Sequence, residues 1–237
     1  MKDFLAENPN STHLVGRGWN ENNWSNKDLP TKQLLDEHFP NLPVLLIRID
    51  LHAAIANTMA LQAAKIDEHT SIEGGIVEQK NGELTGLLID KALYRAADSL
   101  PQLSREKLAS LLLEAQKHCH AVGLTTLNEA LIELDEIDLI AELQKKGLLK
   151  MRFYMMVNST AANKKYFFEK GIYKDDFLNI RTFKYFADGA LGSRGAWLLD
   201  DYTDAENHKG LALLDEKSFE EDCKEYAKRG FQVATHA

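Results

Sequence analysis

From Ser104 onward, apolar residues alternate between two spacings. Leu108, Leu111, Leu112, Ala115 and Cys119 recur at the spacing of one helix face, with Ser104 as an N-cap and Gly123 as a stop. The run 124–130 then reads as a strand. The order repeats with a helix over 133–146 (Ile137, Ile140 and Leu143 inward), Gly147, and a strand over 151–157. It continues with a helix over 161–170, Gly171, and a strand over 180–187. A helix over 218–229, with Phe219, Cys223, Tyr226 and Ala227 on one stripe, leads through Gly230 to a last strand, 231–236. Helix, glycine and strand in repetition predict parallel β/α units and an α/β fold class. A TIM (β/α) barrel and an open doubly wound sheet both satisfy the pattern. No GxGxxG follows a first strand, which counts against dinucleotide binding.

The first hundred residues follow a different grammar. Short strands are expected over 13–19 and 44–49, with a short helix over 32–38 between them. A polar loop, 20–27, carries Trp24. Asp50-Leu51-His52 ends the second strand, and the alanine-rich stretch 53–64 predicts a helix. A hairpin is expected over 74–89, turning at Asn81-Gly82, whose residues supply the positive φ of a type I′ turn. Residues 90–99 read as helical. The expected division is therefore 1–103, an α+β region with the hairpin, and 104–237, the β/α units.

Composition narrows the function. The 237 residues are 44% hydrophobic and 27% charged, as in an ordinary globular protein. A net charge of −8 argues against nucleic acid and anionic membranes as partners. No apolar run is long enough to span a membrane, and the first residues lack a signal-peptide core. Two cysteines, outside any CxxC, read as reduced thiols of a cytoplasmic protein. The chain stops on an apolar strand, so it reads as a fragment of a longer protein.

The stretch 180–202 holds the sharpest conflict. Lys184 lies in a strand between Phe183 and Tyr185, where a charge is costly without a partner. The bland alternative is a strand lysine whose head reaches solvent. The sharp one is a site lysine, which can bind a cation only when deprotonated or carboxylated. His236, at the C-terminal end of a strand in the same sheet, is a core histidine or a metal ligand. The glycine loop 189–195, with Arg194, is an anion cradle or a tight turn needing positive φ. Asn128 and Glu129 read as surface polarity, and Trp19 and Trp24 as packing.

Several stretches resemble one family: VGRGWNENNW, LPTKQLLDEHFPNLPVLLIRIDLHAAIANTMAL, GGIVEQKNGELTGLLIDKA, FKYFADGALGSRGAWLLDDY and FQVATHA. Together they look like the YtcJ-like branch of the amidohydrolase superfamily, to which N-substituted formamide deformylases belong. The resemblance implies a partial TIM (β/α) barrel with an inserted hairpin region. It also implies metal-dependent hydrolysis of a non-peptide C–N bond in a small amide-type substrate. Lys184 falls at the family's strand-four lysine, carboxylated in many members, and His236 at its strand-five histidine. Both are thus expected metal ligands, with zinc the expected ion. His52, Asp188 and Arg194 are expected to line the substrate pocket.

The departures are equally specific. The family's first-strand His-x-His is missing, since His118-Cys119-His120 lies in a predicted helix. Asp50-Leu51-His52 stands where the family reads Asp-Gly-His. The strand-six histidine and the strand-eight aspartate, which is the general base, would follow residue 237. The chain alone is therefore expected to be inactive, to bind metal weakly, and to form a homodimer or larger assembly. The alternative is a non-catalytic binding or regulatory protein reusing part of the fold. An open-sheet phosphate-binding enzyme, resting on the glycine loop, is a third.

Overall fold

The computed structural model describes residues 1–26 and 28–237. The chain divides into two compact units, Met1–Gln102 with Asp188–Leu213, and Leu103–Ala187 with Leu214–Ala237. The expected division kept 104–237 together. Asp188–Leu213 instead belongs to the first unit, where its glycines pack against Arg48 and Asp90.

In chain order the first unit holds α1 (Lys2–Glu7), β1 (Leu14–Trp19), α2 (Gln33–His38), β2 (Val44–Arg48) and β3 (Ala53–Ala56). It continues with α3 (Thr58–Ala63), β4 (Gly75–Lys80), β5 (Glu83–Asp90) and α4 (Lys91–Asp98). One sheet runs β1-β2-β3-β5-β4. Strands β1 and β2 are parallel and the other pairs antiparallel. Asn81 and Gly82 have φ of 56° and 82°, the two positive values that the hairpin turn requires.

The helix expected over 53–64 begins only at Thr58. Ala53–Ala56 is instead the middle strand, and each of its residues is buried. Ala54 and Ala56 pack with α3 and α4, while Ala53 and Ile55 pack with Leu14, Leu35 and Phe39 on the other face. Pairing on both sides overrides the helix propensity of alanine. Asn57 then ends the strand and caps α3, accepting from the Ala60 amide at 3.0 Å.

The second unit holds α5 (Arg105–Ala121), β6 (Thr126–Ile132), α6 (Leu134–Lys145), β7 (Arg152–Asn158) and α7 (Ala161–Lys170). After these come β8 (Tyr173–Lys174), β9 (Leu178–Phe186), α8 (Glu216–Lys228) and β10 (Gln232–His236). Its sheet runs β10-β9-β7-β6, every pair parallel, and β8 adds antiparallel to β9. This is the order expected of consecutive β/α units in a partial amidohydrolase barrel. Strand β6 starts later than predicted because the Leu124 amide donates to the Cys119 carbonyl at 3.0 Å, closing the turn at Gly123.

One core joins the sheet to its helices. Phe183 and Tyr226 stack with ring centroids 4.2 Å apart, and both are buried. Each such burial is worth about 1.5–3 kcal/mol. Register slips between β7 and β9: Met155 pairs with Ile180, but Met156 pairs with Thr182. This bulge reverses the alternation, so Ile180 and Phe183 both reach the core. Among the described residues no helix is long and apolar enough to cross a membrane.

Candidate active-site residues

Lys184 lies on β9 between two parallel neighbours. Its register partners are Asn158 on β7 and Ala234 on β10. The face opposite the aromatic core therefore carries Asn158, Lys184 and Ala234, and two residues further along β10 it carries His236. Lys184 and His236 thus share a face at the C-terminal end of adjacent strands.

Lys184 does not reach solvent, because the residue is only 9% exposed. Its Nζ donates to the Tyr185 carbonyl at 2.8 Å and sits 4.1 Å from the centroid of the Phe186 ring. Burial lowers its pKa from the ordinary lysine value, because desolvation disfavours the charged amine. His236 stands beside the same Phe186 ring, 5.7 Å between centroids.

His52, Asp188 and Arg194 belong to the first unit. His52 is buried at the start of β3, and its Nδ1 lies 2.7 Å from Asp90 Oδ1. Asp188 is also buried, with Oδ2 accepting from the Trp197 amide at 2.8 Å. Arg194, with φ of 58°, is engaged by Asp204 through Nε at 3.2 Å and Nη2 at 3.0 Å. It borders a cavity of about 190 Å³ together with Arg48, Ser193, His208, Ile76, Leu87 and Ile89.

The glycine loop corrects the positive-φ reading of its sequence. Gly189, Gly192 and Gly195 lie outside the positive-φ region, which Arg194 occupies instead. A Cβ would stand 2.4 Å from Asp90 Oδ2 at Gly189 and 2.8 Å from Arg48 Nη1 at Gly192. Close approach therefore requires these glycines. The amides of Gly189, Arg194, Gly195 and Ala196 donate to carbonyls within the loop.

Sequence reasoning missed two groups. Arg48, buried at the end of β2, donates to both carboxylate oxygens of Glu21 at 2.9 and 2.8 Å, and to Asp50 at 2.5 Å. Asp90 was hidden as an ordinary helix start. The only available signal was a run of apolar residues ending in a carboxylate.

The chemistry of the donor set decides how far a metal fits. A histidine and an uncharged or carboxylated lysine on one face suit two positions of a divalent-metal site. Zinc sites take three or four protein ligands. Among the described residues no group of three or more His, Cys, Asp or Glu is placed to hold a metal ion. His118 and His120 lie on α5, with His118 exposed beside Glu114. The set fits part of a metal site and does not close one.

The chain is 35% identical over its whole length to the Bacillus subtilis (strain 168) protein named "Putative amidohydrolase YtcJ", and covers 46% of it. It is 32% identical over 52% of its length to the N-substituted formamide deformylase of Arthrobacter pascens, covering 24% of that protein. A crystal structure of an uncharacterized metal-dependent hydrolase from Pyrococcus horikoshii superposes with a TM-score of 0.64 at 22% identity, over 96% of this chain and 45% of that one. The chain thus spans half or less of the length of these proteins. The model of the amidohydrolase family, Amidohydro_3, matches residues 1–237, and the chain belongs to that family.

Proposed function

We propose that the chain forms the middle of a cytoplasmic metal-dependent hydrolase that cleaves a non-peptide C–N bond, of amide or formamide type, in a small-molecule substrate. The observation that carries this reading is a buried lysine sharing one polar sheet face with His236, in a chain of the amidohydrolase family. The activity named for the Arthrobacter relative supports the bond type. Lys184 and His236 would hold a divalent ion, by this reading zinc. Such an ion, when bound, lowers the pKa of water and polarises a carbonyl. Desolvation of Lys184 favours its neutral amine, the form that adds carbon dioxide and releases a proton to become an anionic carbamate. His52, Asp188 and Arg194 contact the substrate.

The test uses the longer parent protein. It should hydrolyse an N-substituted formamide and contain stoichiometric metal. Lys184→Ala should remove both metal and turnover, with the melting temperature kept. Hydrolysis that persists in this variant, with metal retained, would overturn the reading. The 237-residue chain alone should show no turnover and lose metal on dialysis. Two donors do not complete a zinc site, and loss of a general base by itself costs about 10²–10⁴-fold. The two-donor set also favours a second reading, a binding or regulatory protein. A parent protein that folds without metal and hydrolyses no amide would establish that reading instead.

A further inference from the structure

The cavity beside Arg194 lies wholly within the first unit and holds about 190 Å³. A cavity of about 150 Å³ with aliphatic and aromatic walls takes a benzene ring, so this one has room for about six or seven non-hydrogen atoms. Ile76 of β4 and Leu87 and Ile89 of β5 give it an apolar wall. Arg48, Arg194 and Glu78 bring charge to the same lining. Glu78 and Arg194 also border a second, larger cavity with Asp28, Gln79 and Thr85, so the two charged residues stand where the cavities adjoin.

The two arginines arrive with their own counter-charges. Arg48 is matched by Glu21 at 2.8 Å and Asp50 at 2.5 Å, and Gly192 packs against its guanidinium. Arg194 is held by both oxygens of Asp204, at 3.2 and 3.0 Å. His208 gives Nε2 to the Arg194 carbonyl at 2.7 Å. Glu78 has no such match. Its Oε2 accepts from the Thr85 hydroxyl at 2.6 Å. Among the described residues no lysine, arginine or histidine stands within ion-pair distance of it. Arg194 is near enough to feel the charge of Glu78, yet its guanidinium is committed to Asp204. Two cations thus face four carboxylates around the cavity. A lining with an excess of one sign beside low-dielectric walls draws the opposite charge.

We propose that this cavity binds a small organic ammonium ion, a primary amine carrying one compact apolar group. The ammonium donates to Glu78, and the hydrocarbon lies along Ile76, Leu87 and Ile89. A charge-assisted hydrogen bond to a carboxylate is the strong contact here. An alcohol of the same shape forgoes the charge. A carboxylate of that shape meets arginines already paired and an acidic excess. The inference goes beyond the proposed hydrolysis and does not need turnover. Hydrolysis of an N-substituted formamide releases an amine of this class with formate, so on that reading the site holds a product.

The experiment is isothermal titration calorimetry of the 237-residue chain at about pH 7, where an alkyl amine is protonated. The probes are cyclohexylamine, cyclohexanol, cyclohexanecarboxylate and methylamine. Cyclohexylamine should bind at least about tenfold more tightly than each of the others, the difference made by one hydrogen bond to a charged group or by burial of the ring. Glu78→Gln keeps the side chain's shape. It should weaken cyclohexylamine by about tenfold or more and leave cyclohexanol within about twofold. No binding of cyclohexylamine would overturn the proposal. So would a carboxylate that binds as tightly, or an unchanged amine affinity in folded Glu78→Gln. Methylamine binding as tightly as cyclohexylamine would place the charge contact outside the cavity and overturn it too. If Glu78→Gln does not fold, the ranking of the four probes on the unmodified chain decides. Absence of formamide hydrolysis by the parent protein would instead count against the proposed function alone.

Discussion

Arg48 is buried with both edges of its guanidinium engaged, Nε and Nη2 by Glu21 and Nη1 by Asp50. The hydrogen bond from Arg48 is the largest influence on Glu21 and lowers its pKa below the ordinary 4.5. A carboxylate with a lowered pKa in the folded state stabilises the fold above its unfolded value. That stabilisation is lost as pH falls through the lower, folded value. Urea melts between pH 7 and 3 should therefore show stability falling below about pH 4.5, and Glu21→Gln should flatten that fall. At pH 7, Glu21→Ala should cost on the order of 3–5 kcal/mol, because it leaves a buried guanidinium partly unpaired. Parallel pH profiles for wild type and Glu21→Gln would show that the pair carries no such linkage.

At the scale of an element, α5 shows how periodicity finds a helix and misjudges its face. The pattern put Leu111 and Leu112 together on the buried stripe. In the structure Leu108, Ala109, Leu112, Leu113 and Cys119 pack against the core, while Leu111 is 43% exposed. Consecutive leucines leave the phase of a stripe open to rotation by one residue, since neighbours differ by only about 100° around the axis. The expected outcome is asymmetric. Leu111→Lys should change stability by no more than about 0.5 kcal/mol, whereas Leu112→Lys should lose more than about 1 kcal/mol. Chemical denaturation of the two variants measures both, and equal losses would put the stripe back where the periodicity placed it.

For the whole molecule, the parallel path β10-β9-β7-β6 leaves β6 and β10 each hydrogen-bonded to one neighbouring strand. The outer side of an end strand offers unpaired N–H and C=O groups to another chain. Two copies meeting about a two-fold axis satisfy such groups economically. We therefore propose a homodimer or larger assembly. Light scattering on dilute, monodisperse protein should give at least twice the mass of one chain. A stable monomer would mean that these edges are covered within a single copy.

Some of this protein is written locally. The β/α repeat, its glycine stops and the Asn81-Gly82 hairpin depend on residues only a few positions apart, so spacing alone predicts them. The conflict at Lys184 was visible for the same reason, since a charge inside an apolar run marks itself. The resemblance of DGALGSR and FQVATHA to a known family identified the family and put Lys184 and His236 forward together. Other features depend on partners distant in the chain. Ala53–Ala56 is a strand because β2 and β5 flank it, against the preference of its own alanines. Gly189 and Gly195 are needed because Asp90, about a hundred residues earlier, lies against them. Asp90 itself reads as the start of a helix until the fold brings His52 to it. Local propensities amount to tenths of a kcal/mol per residue. A buried strand pairing, or a carboxylate enclosed on both sides, outweighs them, and only the tertiary structure shows where those interactions fall.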